Sequence, residues 1–133
     1  MDAQDIAEEF VRFYRRVAQE FGRVDHVFGD SASPTMINTL ISATRREGLP
    51  WRQIGKCTKN AVSQRPVTID RLLSTDRLKI SRRCSEVVKA LSGLRWDEEH
   101  PERPEDRNSG NINDVYDSFC YCWLTFAGQI DRR

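Results

Sequence analysis

The sequence contains no run of apolar residues near the roughly 18 that a bilayer crossing requires, and its N-terminus is acidic rather than basic. A membrane span and a secretory leader are therefore not expected, and a cytoplasmic, reducing location is. Charge of one sign is also missing: 21 basic residues face 20 acidic ones, for a net charge of +1. Net charge alone gives no reason to bind nucleic acid, so any basic surface must be local. The four cysteines include no CxxC. Cys57 and Cys84 stand alone, Cys120 and Cys122 diverge on what reads as a helix, and His26 and His100 lie near no cysteine pair. A zinc site is not expected; free thiols serving as small buried apolar residues are. There is no GxxxxGK[ST] and hence no phosphate-cradling loop of that kind. No internal repeat occurs, and the length, 133 residues, suits one domain.

What is present is periodic. Residues 4–21 carry Ile6, Phe10, Phe13, Val17 and Phe21 at spacings of three and four, with acids early and arginines later. That predicts a helix with one buried face, stopped by Gly22. A short strand is expected over 24–29, a helix over 34–47, and a strand over 51–57. Short links between them imply parallel strands. Beyond a polar loop, the pattern predicts a helix through Ile69, Leu72 and Leu73, then a strand at "RLKI", 77–80, and a helix over 82–91. "LRWDE", 94–98, is a plausible last strand, paired with "RLKI" as a small side β-ribbon. Residues 99–110, "EHPERPEDRNSG", read as a mobile loop. The last helix, 112–127, is expected to bury Val115, Phe119, Cys122 and Phe126, with Asp114, Asp117 and Tyr121 on a neighbouring face. Trp51, Trp96 and Trp123 read as packing residues rather than base-stacking platforms.

Two acids stand where chemistry is often found. Asp30 follows the strand "VFG" directly, at the carboxyl end where open α/β sheets bind ligands. Asp117, with Asp114 one turn before it, opens the final helix. Strand-tip and helix acids that meet over a sheet edge can hold divalent ions for phosphodiester cleavage, and magnesium accepts oxygen ligands with several waters. Plainer readings stand beside these. Asp30 suits a turn cap with Ser31, and Asp114 suits a helix cap or first-turn position favoured by the helix dipole. Lys56, Lys59 and Arg65 cluster after the second strand, where they could neutralise phosphates or simply form a solvated loop.

Three segments, "VFGDSASPTMINTL", "RLLSTDRLKISRRCSEVVKALSGLRWDE" and "NDVYDSFCYCW", together resemble the C-terminal nuclease domain of tailed-bacteriophage terminase large subunits. Members of that family carry an Asp-Ser-Ala-type turn after a strand, a segment of the kind "RL-I---C--L---L---RWD", and a late helix of the form "DH--DALRYA". The similarity covers about residues 22–127, and the order of the motifs carries it more than any single one. It implies a partial ribonuclease H-like fold, α/β, with a short mostly parallel sheet flanked by helices. By this resemblance Asp30 matches the family's second metal-binding acid and Asp117 the acid opening "DALRY". Asp114 stands where many relatives have histidine, and Cys84 and Trp96 match structural positions.

The implied activity is Mg²⁺- or Mn²⁺-dependent endonuclease cutting of concatemeric double-stranded DNA during genome packaging. Lys56, Lys59 and Arg65 would contact DNA. The family's first acid lies on a strand ahead of the helix here at 4–21, and neither that strand nor the ATPase half is in this sequence. An incomplete two-ion site is the corresponding expectation. Implied partners are the missing N-terminal part of the terminase, the portal or the small terminase subunit, with self-association through an exposed sheet edge. The alternative is a non-catalytic remnant or docking module for DNA, portal or motor subunit.

Overall fold

The computed structural model describes residues 2–58, 64–101, 103–105, 108 and 110–130. It is a mixed α/β protein, mostly helical, in two compact units, Met1–Thr58 and Lys59–Arg133. Among the described residues, no helix is long and apolar enough to cross a membrane.

In the first unit, α1 (Ala3–Phe21) starts at a reciprocal cap. The Asp5 amide donates to Asp2 Oδ1 at 2.9 Å, and the Asp2 amide donates to Asp5 Oδ2 at 3.2 Å. The helix ends at Gly22, whose φ of 92° is open to glycine and strained for other residues. The helix does not bury the stripe expected of it. Ala7, Val11 and Tyr14 are its buried residues, while Ile6, Phe13 and Phe21 are exposed. Two apolar stripes run along α1 one residue apart, and the one with the small side chain wins the packing. Ala7 meets Ala43 of α2 (Pro34–Arg46) in a cluster with Val11, Leu40 and Leu49, where two alanines let the backbones approach closely.

Strands β1 (Val27–Gly29) and β2 (Ile54–Lys56) form a parallel pair, Val27 opposite Ile54 and Gly29 opposite Lys56, with α2 between them in sequence. A 3-10 turn, Trp51–Gln53, occupies the start of the expected second strand. Gly29 is required by packing, since a Cβ there would lie 2.9 Å from Ile37 Cγ1. Trp51 sits half-buried with the Arg45 and Arg52 guanidinium carbons each 5.1 Å from its ring.

The second unit contains α3 (Arg65–Ser74), α4 (Ser85–Gly93), α5 (Ile112–Leu124) and a final turn α6 (Ala127–Ile130). Its core is Ile69, Tyr116, Cys120 and Leu124, with Leu78, Leu91 and Leu94 packed against them. The buried stripe of α5 is thus displaced by one residue from Val115, Phe119, Cys122 and Phe126. Phe119 and Phe126 are half-buried and Cys122 is exposed. Tyr116 takes the centre because Trp96 stands edge-on to it at 5.7 Å.

"RLKI" forms no strand. The Arg77 and Leu78 amides both donate to Leu72 O, closing a turn after α3 and using the donors that a ladder would need. Trp96 instead makes an isolated antiparallel bridge with Pro104. In the 99–110 loop, the Asn108 side chain ties described residues together. Its Oδ1 accepts from the Arg95 amide at 2.8 Å, and its Nδ2 donates to the Arg95, Glu105 and Asn113 oxygens. Cys57 and Cys120 are buried as expected of free thiols, whereas Cys84, the cap residue of α4, is exposed.

Candidate functional site

The first unit places Asp30 in the turn between β1 and α2. Asp30 Oδ1 accepts the Ala32 amide at 2.9 Å, and the Asp30 carbonyl accepts the Ser33 amide at 3.0 Å. Asp30 therefore shapes its own turn, while Ser33, at the cap position of α2, makes no side-chain cap bond and leaves the start to Pro34. The Cys57 amide donates to Gly29 O at 2.8 Å, continuing the ladder past Lys56. Asp30 and Lys56 thus emerge at the same carboxyl end of the parallel pair, both exposed.

The second unit places Asp117 half-exposed on α5, one turn before Tyr121. The face that spacing assigned to Asp117 and Tyr121 receives Arg65. Its Nη1 lies 3.3 Å from Asp117 Oδ1, and its guanidinium carbon is 5.8 Å from the Tyr121 ring centre. Arg65 is only 6% exposed, so its guanidinium serves Asp117 rather than a phosphate arriving from solvent. Its Nε is buried without a hydrogen-bond partner among the described residues. Asp114 is exposed in the first turn of α5, where the helix dipole favours an acid. Lys59 lies outside the described residues.

The oxygen donors suit Mg²⁺ or Mn²⁺ in type. Among the described residues, however, no three of His, Cys, Asp and Glu come together in a group that could hold an ion. Asp117 Oδ1 also lies against a guanidinium, which a cation must displace or tolerate. The donor set among the described residues falls short of a metal centre.

No family model, curated protein or solved structure matches the chain. The local chemistry of the residues is therefore the basis for function.

Sequence reasoning missed the polar core behind Asp117. Burial pushes the Tyr116 hydroxyl above its usual range, with the Cys120 thiol as its next influence. Burial likewise pushes the Cys120 thiol up to about 11, against a pull downward from Arg65. The available signal was the i, i+4 repeat Tyr116, Cys120, Leu124, hidden beside a richer aromatic stripe.

The raised thiol makes stability depend on alkali. Below the unfolded thiol's pKa both states hold the proton and nothing is lost. As pH rises from about 9 toward 11 the unfolded chain gives up its proton first, so stability falls by up to about 1.4 kcal/mol per pH unit. Urea unfolding at pH 8 and at pH 10.5 should show that drop in the native chain and a shallower one in Cys120→Ala.

Proposed function

We propose that this chain is a nuclease-like domain of the kind found in phage terminase large subunits, a partial ribonuclease H-like fold acting on double-stranded DNA. On this reading Asp30 in the first unit and Asp117 with Asp114 in the second are the candidate metal ligands, a set short of a metal centre within either unit, and Lys56 neutralises a DNA phosphate. The observation that carries this reading is the carboxyl edge of β1 and β2, where the Asp30 turn and Lys56 share one end of a parallel pair. Loops at that end are where open α/β sheets present reactive groups to ligands. The order of the three terminase-like segments supports it. DNA held through phosphates alone would bind without sequence preference and weaken steeply with salt.

One observation favours a second reading, a non-catalytic module that docks to DNA, portal or motor subunit. The buried Arg65 already supplies a positive partner for Asp117. Manganese calorimetry and plasmid nicking separate the two. Under the nuclease reading, Mn²⁺ gives a binding heat that Asp30→Asn removes, and slow nicking falls to background in both Asp30→Asn and Asp117→Asn. Heat unchanged by Asp30→Asn, with DNA still retained at low salt, leaves the docking module.

A further inference from the structure

We infer that the exposed flank of α1 is a self-association surface, on which a second copy of this chain docks with its α1 antiparallel. The inference is independent of the nuclease reading. Ile6, Phe10, Phe13 and Val17 follow the four-three-four spacing of a coiled-coil seam on the flank of α1 beside its buried face, with Phe10 and Val17 half-buried and Ile6 and Phe13 exposed. Phe13 is 52% exposed and Ile6 is 36% exposed, and Phe21 beyond them is 73% exposed. Single exposed apolar residues are ordinary, but an aligned row of them on one helix marks a docking face.

Charge says what covers it. The acids Asp2, Asp5, Glu8 and Glu9 lie at the N-terminal end of the helix, and Arg12, Arg15 and Arg16 lie in its second half. A parallel copy would set like charges side by side, whereas an antiparallel copy sets the acids at 8 and 9 against the arginines at 15 and 16, with Glu20 at the rim near the partner's acidic end. The seam fixes the register. With Phe10 opposite Phe13 of the partner subunit, Ile6 falls opposite Val17 of the partner subunit. Glu9, which flanks the seam, then falls beside Arg16 of the partner subunit, and two-fold symmetry repeats each pair.

Glu9 and Arg16 are available for this exchange because their present contacts are on the surface. Glu9 pairs with Arg12, and the Arg16 guanidinium carbon lies 5.6 Å from the Phe13 ring centre. Arg15 is engaged on the other side, 2.9 Å from Glu47. A helix of 19 residues is roughly 28 Å long, which gives an interface at the small end of the known range and a dimer that dissociates on dilution.

Sedimentation velocity on the full chain, from about 1 to about 300 µM, tests this. The expected result is a mass rising from 15.4 kDa toward twice that value. Phe13→Glu should stay monomeric throughout, with a native far-UV circular dichroism spectrum because Phe13 is exposed. Glu9→Arg alone and Arg16→Glu alone should each weaken association by about tenfold, and the double variant should restore it. Residues 9 and 16 are seven apart on one helix, so restoration reports contact between copies. A monomer at every concentration overturns the inference, as does a dimer unaffected by Phe13→Glu. Failure of the double variant to recover overturns the antiparallel register.

Discussion

Tyr116→Ala should destabilise the second unit by about 4 kcal/mol, the range seen when a large aromatic is cut from a packed core. Tyr116 is 1% exposed and is the largest of the fully buried side chains. It touches the Ile69, Cys120 and Leu124 cluster and takes the edge of Trp96 at 5.7 Å, so its loss opens a cavity and removes a ring contact together. Tyr116→Phe should differ little, by about 1 kcal/mol or less, because the buried hydroxyl meets no partner stronger than the weakly bonding Cys120 thiol among the described residues. Urea unfolding followed by tryptophan fluorescence, with Trp96 and Trp123 as reporters in this unit, checks both values. A large loss in Tyr116→Phe would show that the hydroxyl, rather than the ring, anchors the core.

Element types were largely legible in the sequence, because caps and breakers act locally. Gly22 ends α1 and Pro34 starts α2 within a residue or two of where spacing puts them. Which face of each helix packs was not legible. In α1 and α5 the aromatic-rich stripe gave the stronger signal, yet the adjacent stripe is buried in both. Packing rewards fit as well as apolar content. Ala7 against Ala43 permits close approach, and Cys120 leaves room beside Tyr116, while phenylalanine at the same places would hold the helices apart. The strand expected at "RLKI" failed for a related reason. Its alternation was real, but the first two amides were committed to Leu72 O by the turn after α3.

The acids were legible one at a time and their partners were not. Asp30 could be placed at a strand tip by local pattern, and its bond to the Ala32 amide is likewise local. Arg65 and Asp117 are 52 positions apart, and nothing in either neighbourhood announces the other. The basic cluster around Lys56 and Arg65 suggested a solvent-facing role. The proline after Arg65 instead helps start a helix that carries the arginine into the core.

That ion pair carries the second large expectation. At 3.3 Å and an effective dielectric of about 20, the gross attraction between Arg65 and Asp117 is about 5 kcal/mol, most of it offset by desolvating the guanidinium. Removing the acid strands a positive charge that is 7% exposed, whereas removing the base leaves a carboxylate that is 42% exposed and can rehydrate. Asp117→Ala measured in chelator should therefore cost about 2 kcal/mol, and Arg65→Met about 1 kcal/mol because methionine refills the space without a charge. The double variant should be no less stable than Arg65→Met alone, since no charge is then left behind. If Asp117→Ala instead leaves stability unchanged or raises it, Asp117 is held at a cost, as groups poised for a ligand commonly are. Manganese affinity then decides its role. In the nuclease reading, Arg65→Met removes a competing cation and tightens Mn²⁺ binding at Asp117, whereas in the docking reading it changes stability and leaves the manganese titration flat.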